Sequence, residues 1–209
     1  ETSFFRDTHP FETFRNIILP KLNEMIKQRK SRRKTRKGSK VRIWSAGAST
    51  GQEPYSLAML IHEYVRERKV YGELISVEDF GILATDISSE ALSKAMTGQY
   101  SQMEIKRGLS PHLIDTYFGK VEGRWLISSS VRSMVEFRQI NLISPFTMLG
   151  GFDVIFCRNV LIYFDVNTKS HIIDQFHSML SENGFLILGA TENVYALTDK
   201  FDSVHCGET

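Results

Sequence analysis

The stretch Val41–Ser56, VRIWSAGASTGQEPYS, has the residue types of a ligand-binding turn. A short apolar strand runs into small residues that include Gly47 and Gly51, and Glu53 and Pro54 follow in the first turn of a helix. In α/β folds such a turn holds nucleotide-like ligands, because glycines let the ligand approach the backbone and free N–H groups point at it. The spacing departs from G-x-G-x-x-G, which argues against a dinucleotide. A tight strand-to-helix connection without a ligand is the alternative.

Asp86 ends the apolar part of Phe80–Ser88, FGILATDIS, which predicts a second buried strand. Alternation of strands and helices places this strand beside the first, where an acidic residue at its end can accept hydrogen bonds from both hydroxyls of a ribose. Asp86 can equally precede or N-cap the following helix, a position at which aspartate is common. The residues alone leave both roles open.

Polar residues also follow the apolar segment Phe152–Phe164, FDVIFCRNVLIYF. Its strand ends at Cys157, and Arg158 and Asn159 come directly after it, at the edge where open α/β sheets bind their ligands. We interpret Cys157 as a small buried packing residue and not as a nucleophile. The three segments together predict a ligand site at the ends of parallel strands.

The composition is ordinary for a soluble globular protein, with 209 residues of which 42% are hydrophobic and 24% charged. No apolar run approaches the roughly 18 residues of a membrane span, and the first residues do not have the pattern of a secretory leader. Two cysteines, Cys157 and Cys206, do not make a disulfide framework, and the six histidines are scattered without metal-ligand spacing. We therefore expect a cytoplasmic location, no membrane insertion and no bound metal.

Positive charge is concentrated in Lys27–Lys40, KQRKSRRKTRKGSK, which holds nine Lys or Arg residues and no acid, although the formal net charge of the chain is only +2. We expect a solvated linker between the first helix and the first strand, to which an electrostatic docking role can be added. The run has no interleaved aromatic residues for stacking bases, so no nucleic-acid partner is expected.

Hydrophobic periodicity places these groups on an α/β scaffold. Apolar residues at helical spacing predict an amphipathic helix over residues 10–29, which Pro20 should kink or split. The predicted strands are Val41–Ser45, Phe80–Thr85, Val135–Gln139, Asp153–Cys157 and Phe185–Gly189, and the predicted helices between them are Glu53–Arg68, Ser88–Met96 and Val166–Leu180. Their alternation predicts a largely parallel sheet with helices on both faces.

Residues from about 100 to 134 break this alternation and predict an inserted antiparallel β-subdomain. A short helical piece, Pro111–Phe118, precedes Val121–Ser128 and Val131–Phe137, which we interpret as a β-ribbon with glycines at its turns. Near the end of the sequence, Phe201–Cys206 has the pattern of a further strand.

Taken in order, the motifs resemble one family. ETSFFRD, SAGASTGQEPYSLAM, ATDIS, INL and FCRNVLIYFD together are similar to the chemotaxis receptor glutamate methyltransferases of the CheR type, from Glu1 to about Gly189. ATDIS and INL are weak alone, whereas SAGASTGQEPYSLAM followed by FCRNVLIYFD is highly specific. The resemblance implies a Rossmann-like class I methyltransferase catalytic domain over residues 1–209. Family members usually carry a small N-terminal helical domain before this point, and we expect it to be absent from this chain.

The implied reaction is transfer of a methyl group from S-adenosylmethionine to the side-chain carboxylate of a glutamate, which leaves S-adenosylhomocysteine. A glutamate carboxylate has a reference pKa of about 4.3 and is ionised at neutral pH, so the acceptor needs no general base. This agrees with a sequence that has no obvious Ser/His/Asp or Cys/His set. The enzyme must instead hold the carboxylate oxygen, the methyl carbon and the sulfur nearly in line.

By the same resemblance, individual residues acquire expected roles. The expected catalytic residues are Arg6, Arg158 and Tyr163, and the expected cofactor-binding residues are Thr2, Arg6, Ala46, Gly47, Gly51, Glu53, Asp86, Asn141, Leu142, Arg158 and Asn159. Glu53 resembles the ligand of the methionine ammonium, with a helix-dipole charge as its alternative role. Asp86 resembles the ribose ligand, and Asn141 with Leu142 resembles the pair that flanks the adenine. Tyr163 would orient the acceptor or face the sulfonium.

The resemblance also implies a partner, the cytoplasmic helical bundle of methyl-accepting chemoreceptors, and a role in chemotaxis adaptation. Some family members grip a receptor tail peptide with a glycine-rich loop of the inserted subdomain. The run from Gly119 to Arg132 lacks such a loop, so we expect no tethering through a tail pentapeptide. We expect a monomer. The alternatives are an RNA or small-molecule methyltransferase with the basic run as a docking arm, and a non-catalytic S-adenosylmethionine-binding regulatory module.

Overall fold

A computed structural model describes residues 2–32 and 40–204, which form a five-stranded and a three-stranded sheet with helices around them. The strands are β1 Val41–Ala46, β2 Phe80–Asp86, β3 Gln99–Tyr100, β4 Phe118–Val121, β5 Arg124–Ile127, β6 Val135–Gln139, β7 Phe152–Cys157 and β8 Leu180–Leu188. The α-helices are α1 His9–Thr13, α2 Leu19–Arg32, α3 Gln52–Val70, α4 Ser89–Thr97, α5 Gln102–Lys106, α6 Pro111–Tyr117, α7 Ser129–Arg132 and α8 Val166–Met179. Half of the basic run, residues 33–39, lies outside the described residues, so the linker there stays a prediction.

The large sheet has the strand order β6-β2-β1-β7-β8, and all of its pairs are parallel. β1 lies at the centre, in register with β2 from Val41 opposite Phe80 to Ala46 opposite Thr85. Because the strands share one direction, their carboxyl ends all lie at the same edge of the sheet. The predicted parallel α/β sheet is confirmed.

Successive side chains of the central strands enter two separate hydrophobic cores, one on each face of the sheet. On β1, Ile43 belongs to the core that includes α3, and Trp44 belongs to the core that includes α8. β7 divides in the same way between Phe156 in the first core and Ile155 in the second. Burial on both faces explains why these strands are continuously apolar in sequence.

The predicted disturbance at Pro20 takes the form of a π-helical turn directly before it, and the helix is not split. The turn covers Phe14–Ile18 between α1 and α2, and the N–H of Leu19 reaches back to the carbonyl of Phe14. Proline has no N–H to donate, and the wider turn lies where the regular hydrogen-bond ladder would be interrupted.

Ion pairs fasten the end of α2 at the amino edge of the large sheet. Arg29 donates from both terminal nitrogens to the carboxylate of Asp153 at 2.6 and 3.1 Å, and Lys30 donates to Asp79 at 2.6 Å. Both carboxylates are buried, and Asp153 also accepts the backbone N–H of Arg42 at 3.0 Å. The position of α2 along the sheet is thereby fixed.

The inserted subdomain is present, but its strands differ from those predicted. β5 is its central strand and is antiparallel to both β3 and β4. Glu122 and Gly123 join β4 to β5 with φ of 47° and 78°, the backbone geometry of a two-residue hairpin turn. The ribbon strand predicted over Val131–Phe137 is wrong, because Val131 is buried in the helical turn α7 and Val135 begins β6 of the large sheet.

The strand predicted over Phe201–Cys206 is not found in the part of it that the structure describes. Residues 201–204 are irregular, and residues 205–209 lie outside the described range. The apolar character of Phe201 instead reflects packing, since its ring meets that of His177 on α8 edge-on at 5.4 Å. Searched over the described ranges, the helices include none that is long and apolar enough to cross a membrane.

Candidate cofactor and active site

The polar residues singled out in sequence lie where the strands of the large sheet end. Gly47 follows β1, Asp86 ends β2, Asn141 comes shortly after β6, and Arg158 follows β7. These strands are separated widely along the chain, and the parallel topology alone brings their carboxyl ends to one edge. The fold therefore brings these predicted site residues to one edge of the sheet.

The turn between β1 and α3 requires both of its glycines. Gly47 and Gly51 have φ of 85° and 93°, in the left-handed region that favours glycine. A Cβ on Gly47 would overlap Cγ2 of Val160, and a Cβ on Gly51 would lie 3.0 Å from Cβ of Ala95. The backbone N–H of Gly47 donates to the carbonyl of Thr85 at 2.8 Å, which ties the turn to β2. Ala46, just before the turn, buries its side chain in the α8 core, so only its backbone can face a ligand.

Asp86 bridges this turn to the start of α4. One carboxylate oxygen accepts the N–H of Ser49 at 2.8 Å, and the other accepts the N–H of Ser88 at 2.9 Å. The N-cap of α4 is Ser88 itself, whose hydroxyl accepts from Ala91 at 3.1 Å, so the N-cap role considered for Asp86 is wrong. Each carboxylate oxygen of Asp86 keeps acceptor capacity for a further donor.

Glu53 and Arg158 form a buried ion pair beneath the turn. Arg158 donates to Glu53 at 3.1 Å, and the hydroxyl of Ser45 donates to the other oxygen of Glu53 at 2.9 Å. The exposed fractions of the two side chains are 14% for Glu53 and 2% for Arg158. Burial raises the pKa of the Glu53 carboxyl, and the charge of Arg158 is the largest of the opposing effects.

Arg158 also holds the N-terminal segment against the sheet. Its second terminal nitrogen donates to the carboxylate of Asp7 at 2.7 Å and to the backbone carbonyl of Arg6 at 2.8 Å. The guanidinium lies over the ring of Phe11 at 5.4 Å. The buried guanidinium of Arg158 thus connects the N-terminal segment to Glu53 through hydrogen bonds.

The same segment brings Thr2 next to the glycine turn. Phe4 is fully buried and packs edge-on against Tyr100 at 4.9 Å, which anchors the segment. A cavity of about 320 Å³ opens beside it, and its lining residues are Thr2, Ser3, Ser49, Thr50, Gln52, Met103, Glu104 and Arg107. A volume of this size is in the usual range for small-molecule sites.

The loop after β7 carries the remaining predicted residues. Asn159 has φ of 58°, and Tyr163 ends a 3-10 turn with its side chain 80% exposed. The backbone N–H groups of Asn159 and Val160 donate to the carboxylate of Glu192 at 2.7 and 3.0 Å. Sequence reasoning missed Glu192, although an acid shortly after the last strand of the sheet is a signal of the same kind as Asp86.

Asn141 and Leu142 divide between surface and core. Asn141 is exposed, and its side-chain oxygen accepts the N–H of Ile143 at 3.1 Å. Leu142 is buried in the α8 core. Cys157 is buried as well, and burial together with the charges of Glu192 and Glu53 raises the pKa of its thiol, in agreement with a packing role.

Metal-ligating side chains do not gather at this edge. Over residues 2–32 and 40–204 there is no group of three or more His, Cys, Asp or Glu arranged to hold a metal ion.

A glycine turn after the central strand, an acid at the end of the neighbouring strand and a cavity beside them define an α/β domain that binds a nucleotide-like cofactor. Residues 1–209 match the family model described as "CheR methyltransferase, SAM binding domain". The chain belongs to this family, and S-adenosylmethionine is its cofactor.

Relatives with similar sequences span nearly the whole chain. "Chemotaxis protein methyltransferase 1" of Pseudomonas aeruginosa is 43% identical over 207 residues, which cover 99% of this chain and 70% of the relative. "Chemotaxis protein methyltransferase Cher2" of Pseudomonas putida is 42% identical with the same coverage. Among solved structures, a SAM-dependent methyltransferase from Methanosarcina mazei aligns with a TM-score of 0.42 at 19% identity, over 71% of this chain and 51% of the other.

The residues at the strand ends fit this cofactor. S-adenosylmethionine carries an ammonium and a sulfonium, and the edge supplies the carboxylates of Glu53 and Asp86. Two lining residues of the cavity, Ser49 and Thr50, belong to the glycine turn, where small side chains leave the backbone accessible. We propose that Glu53 binds the ammonium and that Asp86 binds the ribose hydroxyls.

Proposed function

We propose that this protein transfers the methyl group of S-adenosylmethionine to glutamate side-chain carboxylates of chemoreceptors, in the cytoplasm, and forms methyl esters during chemotaxis adaptation. Two of its relatives are chemotaxis protein methyltransferases, and the motif resemblance indicates the glutamate acceptor. The observation that carries the proposal is the set of contacts of Arg158. Its guanidinium donates hydrogen bonds to Glu53 and to the N-terminal segment that carries Arg6, and Arg158 itself begins the loop that carries Tyr163.

The acceptor chemistry requires alignment and no base. When bound, the cofactor supplies a methyl group already activated on a sulfonium. The acceptor carboxylate has a reference pKa of about 4.3 and attacks in its ionised form. Positioning contributes up to about 7–11 kcal/mol in well-oriented model reactions, so rigid support of the surrounding groups is the main task of the protein.

Two side chains at this edge are suited to position the acceptor. The hydroxyl of Tyr163 is exposed at the end of a short 3-10 turn, and we infer that it orients the incoming carboxylate. Arg6 has a half-exposed side chain on the segment that Arg158 fastens, and we infer that its guanidinium attracts the carboxylate. Both segments meet at one buried guanidinium, so their spacing is held by the core.

The surface around the site favours a protein acceptor. Exposed apolar side chains lie in this region: Ile87, Ile143 and Ile162 follow strands of the large sheet, and Met103 lines the cavity. Exposed apolar groups of this kind mark protein-binding surfaces. We infer that they contact the helical bundle of the receptor directly.

The inserted subdomain supports recognition without a tail peptide. β4 and β5 are connected by Glu122 and Gly123 alone, so this hairpin has no extended loop to hold a peptide. We therefore propose direct docking on the bundle, with no tethering through a receptor tail pentapeptide.

Methyl transfer to a purified receptor tests the proposed function. The protein is mixed with methyl-labelled S-adenosylmethionine and a receptor cytoplasmic fragment, and base-labile label on the fragment is measured. A matched fragment with its acceptor glutamates replaced by glutamine should take up none. Base-stable label on RNA or a small molecule would support the alternative methyltransferases, and cofactor binding without transfer to any acceptor would support a regulatory module.

A further inference from the structure

Glu192 gathers the backbone of the loop between β7 and α8. Its carboxylate accepts four backbone N–H groups: Asn159 at 2.7 Å and Gly189 at 2.8 Å on one oxygen, and Val160 at 3.0 Å and Ile162 at 3.3 Å on the other. The loop lies outside helix and strand over much of its length, so these amides have no ladder partner. A carboxylate with four donors takes the place of that ladder, with charge-assisted hydrogen bonds.

The loop needs this support because its backbone is not intrinsically favourable. Asn159 has φ of 58°, in the left-handed region that residues other than glycine rarely adopt. Conformations of this kind persist when surrounding contacts over-determine them. The N–H of Asn159 makes the shortest of the four hydrogen bonds to Glu192.

The lack of a side chain at Gly189 leaves space for the Glu192 carboxylate and the Asn159 side chain. A Cβ at this position would lie 2.7 Å from the Glu192 oxygen and 2.9 Å from the side-chain nitrogen of Asn159. The N–H of Gly189 donates to the carboxylate, and the N–H of Glu192 returns to the carbonyl of Gly189 at 2.9 Å. The end of β8 and the β7 loop are thus connected through one side chain.

We propose that Glu192 is a positioning residue, which fixes the Asn159–Tyr163 loop in the shape that methyl transfer requires. Its carboxylate holds backbone N–H groups and acts through the backbone that carries Asn159 and Tyr163. The effect on transfer rests on the proposed function, whereas the effect on the loop does not depend on the identity of the acceptor.

Glutamine at position 192 keeps the size of the side chain but not all of its hydrogen bonds. Glu192→Gln preserves size and one acceptor oxygen, which can serve two N–H groups, but its NH2 group faces the other two as a donor. Glu192→Ala removes both acceptor oxygens, on which all four N–H groups depend, and leaves a space for a small anion. Asp199→Asn, at an exposed acid of the same segment, is the matched control for loss of one negative charge.

Residue-level amide hydrogen exchange of the full chain tests the contact without any substrate. We expect the amides of Asn159, Val160, Ile162 and Gly189 to exchange at least about tenfold faster in both Glu192 variants, while core amides of β1 and β7 are unchanged. Wild-type exchange at these four amides in Glu192→Ala would overturn the proposal. The Asp199→Asn control should match wild type throughout.

Methyl transfer tests the consequence. A displacement of about 1 Å in a reacting group costs on the order of 100-fold, so kcat should fall by about that factor in Glu192→Ala. Added acetate should restore part of kcat in Glu192→Ala but not in Glu192→Gln, in which the side chain fills the space. Loss without rescue would overturn the positioning role. If the wild-type protein transfers no methyl group to receptors, the proposed function is contradicted. The hydrogen-exchange result then decides by itself whether Glu192 fixes the loop.

Discussion

Replacing Arg158 by methionine should destabilise the protein by removing the partner of a buried charge. Glu53 is 14% exposed, and in Arg158→Met it keeps the hydroxyl of Ser45, at 2.9 Å, and the weaker effect of the Arg6 charge. Breaking a buried ion pair costs about 3–5 kcal/mol, because the charge left behind is neither solvated nor paired. We expect a loss of about 3 kcal/mol in the free energy of unfolding, at the low end, since Ser45 and partial solvent access remain.

The loss should grow with pH. Burial already raises the pKa of Glu53, and Arg158 is the largest effect against that shift, so the variant has a Glu53 pKa further above its unfolded value. A group with a raised folded-state pKa contributes stability below the unfolded pKa, and that stability is lost as the pH rises through the folded-state pKa. The difference between variant and wild type should therefore be small near about pH 5 and large near about pH 8.

Urea unfolding at the two pH values measures the effect, and a double-mutant cycle assigns it to the pair. Glu53→Gln in the Arg158→Met background removes the uncompensated charge and should recover about half or more of the lost stability. Equal losses at both pH values, or a double variant no more stable than Arg158→Met, would refute the argument.

Three further predictions concern single side chains. Asp86→Asn should weaken S-adenosylmethionine binding about tenfold to hundredfold in calorimetry, because hydrogen bonds to a charged acceptor contribute about 1.5–3 kcal/mol, and the exposed Glu90→Gln should leave the affinity unchanged. Tyr163→Phe should lower kcat about tenfold with the free energy of unfolding within about 0.5 kcal/mol of wild type, because the side chain is 80% exposed; an unchanged kcat would remove it from the site. Burial acts to raise the pKa of Glu63, but hydrogen bonds led by that of Tyr117 outweigh it and lower the pKa, so this carboxylate stabilises the fold at neutral pH and the stabilisation is lost as the pH falls through the lowered pKa. The melting temperatures of Glu63→Gln and wild type should accordingly differ at about pH 7 and converge below about pH 4.

The location of the site could be predicted from sequence because parallel topology converts chain order into position. An apolar run that ends in a glycine or a polar residue marks the carboxyl end of a strand. Gly47, Asp86 and Arg158 each fit that pattern. The same pattern does not determine where a long side chain points. Arg158 was expected at the cofactor, which stays a prediction, and sequence did not indicate that its guanidinium is buried against Glu53 and Asp7, both far away in sequence.

The errors have physical causes that local pattern does not contain. Val131 and Val135 lie only four residues apart, and nothing in that segment indicates that a helical turn separates Val131 from the strand that begins at Val135. The place of Glu192 after the last strand is a signal that sequence contains, but its contacts with backbone amides of the β7 loop leave no trace in side-chain identity. Phe201 has the apolar signal of a strand, whereas its partner is a ring on α8.

The π-helical turn at Phe14–Ile18 lies in a helical segment that is held in place at both ends. At one end Arg29 is held by Asp153, and at the other the segment before α1 is held by Arg158. A π turn contains one residue more than an α turn over the same span. The chain length between the two anchors therefore includes a residue that regular helical geometry would not need.

Deletion of that extra residue, for example the exposed Asn16, would let the same span close as a regular α turn. Phe11 and Phe14, which meet Phe156 with ring centroids 6.4 and 5.6 Å apart, would then keep their places, and so would Thr2 beside the glycine turn. A deletion within α2 that leaves the π turn intact would instead rotate everything before it by about 100°. The π turn therefore marks a position at which this helix can lose one residue without displacing the segment that borders the cavity.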